Sequence, residues 1–395
     1  MQEHVAPETD SPPVIYLDYN ATAPLRPEAL EAMLPVLRSV GNAASPHRLG
    51  QDAAARVTTA RHQLADLLGC SPGELIFTSG ATEANNLALR SAVARGGQLI
   101  ISAVEHPAIR ETAHALASDE SGDPVVLPVD RDGLLDLDAL QHALQSGGVA
   151  LVSIMAANNE TGVLSDLDSI VKIAHEAGAL VHTDATQFVG RRPLELSALD
   201  VDLLSLSAHK FGGPQGVGAL FIRRGTRLPQ RPVLYGGGQE DGWRAGTLNV
   251  AGIVGTGAAA AAAHAKLGEE SARTALLRDL LEEAILTRLA DARINGHRQC
   301  RLPNVSSLTF PGAPADAILT AMPNIAASDG SACASGAVSP SHVLLAMGRT
   351  REEAECTVRF SLGYATTRSE TERAARAVVA AVIQVRSDLV ATARS

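Results

Sequence analysis

From about residue 74 onward, short aliphatic or β-branched runs alternate with amphipathic stretches of helical period, the pattern of βαβ crossovers and a largely parallel sheet. The runs predict strands at Leu75–Thr78, Gln98–Ser102, Val125–Pro128, Ala150–Ile154, Ala179–Thr183, Leu203–Ser207 and Gly218–Ile222. Caps support the helices between them: Asp166–Ala177 opens on an acidic cap and stops at Gly178, a natural left-handed C-cap. Past residue 262 the rhythm changes. Val250–Ala263, apolar with three glycines, reads as a buried, tightly packed helix, followed by a second helix over Ser271–Ala292. Fewer strands follow, at Ser306–Phe310 and Thr357–Ser361, and then a terminal helix with Val378, Val382, Val385 and Leu389 on one face. The expected fold is α/β. A large domain over 18–262 carries a mostly parallel seven-stranded sheet, and a smaller α+β domain combines 1–17 with 263–395.

Composition narrows the function. Hydrophobic residues make up 46% of the 395 and charged residues 19%, so there is apolar surface enough for large cores and no case for disorder. A net charge of −10 opposes non-specific nucleic-acid binding, so an anionic ligand has to be held locally. The acidic, proline-rich start lacks the basic and apolar stretches of a signal peptide, and no run reads as a membrane span, so a soluble, cytoplasmic protein is expected. Cys70, Cys300, Cys333 and Cys356 show no disulfide or metal spacing. No metal site is expected.

Candidate chemistry gathers where predicted strands end, the edge at which parallel α/β sheets bind ligands. The strand Leu203–Ser207 delivers Ser207, His209 and Lys210 before a glycine-rich turn, a setting that suits a Schiff-base lysine. Asp184 ends the preceding strand, where a pyridoxal phosphate enzyme needs an acid to keep the ring nitrogen protonated. Ser79-Gly80-Ala81-Thr82-Glu83 opens a helix and could hold a phosphate, although an ordinary cap by Ser79 or Thr82 accounts for it equally well. His106 follows another strand and could stack on a planar cofactor or shuttle protons. Cys333 lies in a run of small residues suited to a reactive thiolate, whereas the other three cysteines read as structural. Arg359 is a charge within an apolar strand, either facing solvent at an edge or clamping a carboxylate. The glycine loop from Gly236 to Thr247 is either a cover for a site or an exposed connection.

Taken in order, these segments resemble the cysteine desulfurases, pyridoxal-phosphate enzymes of the class V aminotransferase group. The likeness runs from Tyr16-Leu17-Asp18-Tyr19-Asn20-Ala21-Thr22 through Gly41-Asn42, Glu105-His106, Asn158-Asn159-Glu160, Asp184-Ala185-Thr186-Gln187, Ser207-Ala208-His209-Lys210 and Arg244-Ala245-Gly246-Thr247 to Gly330-Ser331-Ala332-Cys333 and Arg359. The resemblance implies the type I fold of pyridoxal-phosphate enzymes. By the same resemblance Lys210 holds the cofactor, Asp184 faces the ring nitrogen, Gln187 bonds the ring hydroxyl and His106 stacks on the ring. Asn159 touches cofactor or substrate, and Ala81, Thr82, Ser207 and His209 take the phosphate. Thr247 reaches the phosphate of a neighbouring subunit in a homodimer, Arg359 binds the substrate carboxylate, and Cys333 accepts sulfur from L-cysteine for delivery to a protein acceptor. The catalytic-loop sequence, about 326–342, is similar to the iron–sulfur assembly and nitrogen-fixation branch. Selenocysteine lyase, or an inactive sulfur-transfer scaffold, is the alternative. Three positions depart from the usual pattern: Asp329 before the loop cysteine, Gln215 in place of a basic residue, and Ala43 in place of proline.

Overall fold

A computed structural model describes residues 14–117, 122–329 and 340–392. The strands are β1 Ile15–Tyr16, β2 Leu75–Thr78, β3 Gln98–Ser102, β4 Val125–Leu127, β5 Val149–Ser153, β6 Leu180–Asp184, β7 Leu203–Ser207, β8 Gly218–Ile222, β9 Arg293–Ile294, β10 Val305–Thr309, β11 Ile325–Ala326 and β12 Thr357–Ser361. The helices are α1 Pro27–Leu37, α2 Arg48–Leu68, α3 Ala81–Val93, α4 Pro107–Leu116, α5 Leu137–Gln145, α6 Leu167–Glu176, α7 Val250–Leu286, α8 Ala315–Ala321, α9 His342–Ala346, α10 Arg351–Glu355 and α11 Arg368–Thr392.

The seven predicted strands form one sheet in the order β2-β8-β7-β6-β5-β3-β4. Only β8 runs against its neighbours β2 and β7; the pairs β3–β4, β3–β5, β5–β6 and β6–β7 are parallel. Their near-continuous apolar runs are what a sheet covered on both faces requires. One face packs Phe77, Ile100, Val152, Val181 and Leu204 against Leu64 and Leu68 of α2 and Ile170 of α6. The other packs Ile76, Leu99, Ile101, Leu151 and Leu203 against Leu87 and Leu89 of α3 and Ile109 of α4. The alternation along each strand therefore sorts residues between two apolar layers.

A second core gathers Ile15 and Leu17 with Leu277, Leu281 and Ile285 of α7, Leu308 of β10, Phe360 of β12 and Val378 and Val382 of α11. Its sheet has the order β12-β10-β9, antiparallel throughout, while β1 pairs with β11 in parallel. Two expectations are corrected here. The helices read separately at Val250–Ala263 and Ser271–Ala292 are one helix of 37 residues that ends at Leu286. The intervening polar residues merely move its exposed face, and the alanine-rich stretch lets α1 and α2 pack closely. Part of α7 is long and apolar enough to cross a membrane, yet half of that stretch is buried within the protein. In α11, Val378, Val382 and Val385 are buried, but Leu389 is 47% exposed because the helix has run past the core.

Candidate active site

A cavity of about 390 Å³ opens at the C-terminal ends of β5, β6 and β7 and at the start of α3. Ala81, Thr82, His106, Asn159, Asp184, Gln187, Ser207, His209 and Lys210 all line it. Nine of the sequence candidates are thus brought together. Arg359 and Thr247 do not line it, and Cys333 lies outside the described residues.

Lys210 closes a single 3-10 turn after β7, and its Nζ donates to the carbonyls of Asn20 (2.6 Å) and Ala21 (2.8 Å). Those carbonyls arrive from the amino-terminal segment. There Leu17 O accepts from Ser361 N at 2.7 Å, and Asn20 N donates to Ser361 Oγ at 2.9 Å. Asp184, at the end of β6, is buried. Its Oδ2 accepts from Asn85 Nδ2 at 2.7 Å and its Oδ1 from Thr186 N at 3.0 Å, so both oxygens are fixed before any ligand arrives.

At the start of α3 the N-cap is Gly80, and no side chain caps the turn. The capping alternative for Ser79 or Thr82 does not apply: Ser79 N is bonded instead to Glu83 Oε2 at 2.7 Å. A thirteen-residue helix therefore points an uncapped first turn at the cavity, a setting that attracts an anion. Gly218 of β8 makes the approach possible, because a Cβ there would stand 2.6 Å from Gly80 Cα. Ser207 and His209 face the same end, and His209 Nδ1 shares a hydrogen bond of 3.0 Å with Thr22 Oγ1. Burial, then the charges of Lys210 and Arg191, lower His209 to about 4, so it stands neutral.

His106 caps α4, its Nδ1 accepting from Ala108 N at 3.1 Å. The neutral ring thus carries its proton on Nε2. Burial lowers its pKa, with Asp184 pulling upward and Lys210 downward. The neighbouring Glu105 is fully buried, with Oε1 accepting from Met155 N at 2.8 Å and Oε2 without a hydrogen-bond partner among the described residues. Burial raises its pKa well above the ordinary carboxyl value.

Arg359 is neither at the surface nor in the cavity. It is 3% exposed, with Nη2 on Asp18 Oδ1 at 2.8 Å and Nη1 on the Asn159 carbonyl at 3.1 Å, one residue removed from the cavity wall. Its Nε is buried without a hydrogen-bond partner among the described residues. Ser328 pairs with it through backbone bonds of 3.1 and 2.7 Å. At the other side of the segment that holds Cys333, Ser341 caps α9 and donates to buried Glu160 Oε2 at 2.5 Å. Burial pushes Glu160 up to about 7; Ser341 and Arg359 pull it down and Asp329 pushes it up. The loop from Gly236 to Thr247 is pinned, with Glu240 on Arg61 Nη2 (2.6 Å) and Phe77 N (2.8 Å) and Arg244 on Glu83 (3.1 Å). Thr247 itself is exposed. Among the cysteines read as structural, Cys300 is exposed on a turn folded over His297 Nδ1, a position that polar neighbours in sequence concealed.

Sequence reasoning passed over Asn85 and Arg191, gave Asn20 no role beyond its place in a motif, and marked Gln215 only as a departure from the usual pattern. Asn85 left a usable signal, a polar residue in the apolar stripe of α3 beside Ala84 and Leu87. Asn20 acts through its backbone carbonyl, which no side-chain pattern reveals. Gln215 lines the cavity and reaches Thr22 Oγ1 at 3.4 Å.

Residues 15–374 match the family model described as aminotransferase class-V. The chain belongs to the class-V aminotransferase family. It is 45% identical over 380 residues to a cysteine desulfurase of Cereibacter sphaeroides, covering 94% of this chain and 97% of the relative. Among solved structures, a NifS-like protein superposes with a TM-score of 0.85 at 35% identity over 93% of this chain and 98% of the other. A second, SspA in complex with cysteine, gives 0.77 at 32% identity over 88% and 98%. The class-V family, with its large mostly parallel sheet, is the one to which the motifs pointed, and the chain is an enzyme of that family.

Proposed function

We propose that this chain is a cysteine desulfurase that binds pyridoxal 5′-phosphate in the cavity, converts L-cysteine to L-alanine and keeps the sulfur on Cys333. The observation that carries the reading is the convergence on one cavity of an amine, a doubly held carboxylate and an uncapped helix start. The residues fit the cofactor. Thr186 Oγ1 and Asn85 Oδ1 on the cavity wall are buried without hydrogen-bond partners among the described residues, so the lining is set for a polar guest. Lys210 would hold it covalently, Asp184 would face the ring nitrogen, and Ala81, Thr82, Ser207 and His209 would surround the phosphate. When bound, the group supplies an electron sink for bonds broken at the substrate Cα and Cβ.

The chain's own residues do the rest. Asn159 would hold the substrate carboxylate, Arg359 would join it only by releasing Asp18 or the Asn159 carbonyl, and Lys210 Nζ takes the Cα proton. The Cys333 thiolate attacks the substrate sulfur. An S–S bond forms as the C–S bond breaks, the electron pair stays on the carbon side, and protonation there gives alanine. His106, with Nδ1 engaged by Ala108 N, would offer the bound cofactor a neutral ring whose proton is on Nε2. A homodimer completes the site through Thr247, and apolar residues left exposed on and after α1 (Leu30, Leu34, Leu37, Val40) and at Val233, Leu234 and Tyr235 support it. The sulfur then passes to a protein acceptor of iron–sulfur assembly or another thiolation route, in the cytoplasm. The chain divides for this work near residue 262, since Ile253, Ala259 and Ala260 of α7 join the sheet core while Leu277 and Leu281 join the second core.

The purified protein is expected to be yellow and to release equal amounts of alanine and, with a reductant, sulfide. Cys333→Ala should keep the colour and lose at least 100-fold in alanine formation from cysteine, a loss on the scale of a missing nucleophile. Full turnover by that variant would remove the persulfide step. Turnover of selenocysteine but not cysteine by the unaltered protein would favour the lyase.

A further inference from the structure

Arg191 is a buried guanidinium with no carboxylate within ion-pairing distance among the described residues, although burying an unpaired cation is costly. Its partners are all oxygens around the cavity floor. Nη2 donates to the carbonyls of Tyr19 and Lys210, each at 3.2 Å, and Nη1 donates to the Gln187 carbonyl at 2.8 Å and to Gln187 Oε1. Gly190 permits this reach. Its φ of +75° sets the turn, and a Cβ there would stand 2.6 Å from Phe211 Cβ.

The consequence lies in the Gln187 amide. A guanidinium can only donate and a backbone carbonyl can only accept. Oε1 therefore faces Arg191, and Nε2 faces the Asn20 carbonyl at 3.0 Å. Turning the amide over would set donor against donor and acceptor against acceptor. One Nε2 hydrogen is used by Asn20, and the other is left for the cavity that Gln187 lines. Lys210, His209 and Arg359 share this region with Arg191, and Asp184 stands on the same cavity wall.

We propose that Arg191 is a positioning residue that fixes the direction of the Gln187 amide, so that Gln187 meets the ring oxygen of pyridoxal phosphate only as a hydrogen-bond donor. The inference rests on the functional reading above. A donor held there favours the deprotonated ring oxygen, and the guanidinium behind it polarises the amide in the same sense. Without Arg191 the amide is free to turn its oxygen inward, which disfavours that charge.

The test follows the absorbance of the holoenzyme across pH 5 to 10, with cofactor affinity measured by equilibrium dialysis. Arg191→Met is expected to raise the apparent pKa of the bound chromophore by about one unit, a tenfold change in proton affinity, and to loosen the cofactor about tenfold. Arg191→Lys, whose ammonium can donate to the same oxygen, should recover most of the shift. In a Gln187→Met background, where no amide remains to be oriented, adding Arg191→Met should move the midpoint no further. Gln187→Glu keeps the arginine and tests the same point should Arg191→Met not fold: it lacks the inward donor, and its midpoint should rise. An unchanged midpoint in Arg191→Met or Gln187→Glu, or a full second shift in the double variant, overturns the role of Arg191. A wild-type protein that takes up no pyridoxal phosphate overturns the functional reading and this inference with it.

Discussion

At Glu160 a carboxyl lies buried between the Ser341 hydroxyl and the charges of Arg359 and Asp329. Its ordinary pKa of 4.5 becomes about 7 in the folded chain. Between those values the folded state holds a proton that the unfolded state has released, so this group lowers stability as pH rises from 4.5 to 7 and no further above it. Glu160→Gln removes the titration. Its stability relative to the unaltered protein, measured by urea unfolding, is therefore expected to improve by up to about 3 kcal/mol between pH 4.5 and 8. A difference independent of pH would show that the carboxyl is ionised in both states. Asp329, which the sequence marked as unusual because of the cysteine that follows, pushes buried Glu160 toward its protonated form.

Among the elements, β5, β6 and β7 are joined by side chains as well as by their ladders. His182 Nδ1 shares a hydrogen bond of 2.8 Å with Ser153 Oγ, and Nε2 one of 2.9 Å with Ser205 Oγ, inside the sheet core. Burial lowers His182 to about 4 while Asp184 pulls it upward. The unfolded chain binds a proton below 6.5 that the folded chain refuses, so this contribution is lost as pH falls from 6.5 toward 4. His182→Ala is expected to cost about 3 kcal/mol at pH 7, from the void and two orphaned hydroxyls, and to flatten the acid side of the stability profile. Equal acid sensitivity in variant and parent would assign that limb to other groups. The strands themselves were legible because each is a bounded apolar run: β2, β3, β7, β8 and β12 fall at their predicted limits, and β5, β6 and β10 are one residue off. The helices α1 and α2 were not anticipated, since the alternation of strand and helix that guided the reading begins only near residue 74, although Ala53, Val57, Ala60, Leu64 and Leu68 mark a buried stripe along α2. In the site, side chains at strand ends could be read directly, whereas Arg191 and the Asn20 carbonyl gain their roles only through distant packing.

For the molecule as a whole, the apolar face left by α1 bears on assembly. Leu34→Glu on that face, at 40% exposure, should leave the chain folded, since the side chain is not in a core, and should shift a dimer toward monomer in sedimentation equilibrium. If the proposed homodimer forms, its monomer is expected to retain the proposed cofactor more weakly, since Thr247 is proposed to reach the neighbouring site. An unchanged mass would place the interface elsewhere. The amino-terminal segment carries a different consequence. β1 pairs with β11, and Asp18 meets Arg359 across 341 positions of sequence. During synthesis β1 must wait for β11, and the carbonyls that receive Lys210 wait with it. A nascent chain arrested before residue 325 would hold every strand of the central sheet yet lack the partner of β1, so the carbonyl floor beneath Lys210 is expected to be among the last parts of the site to form.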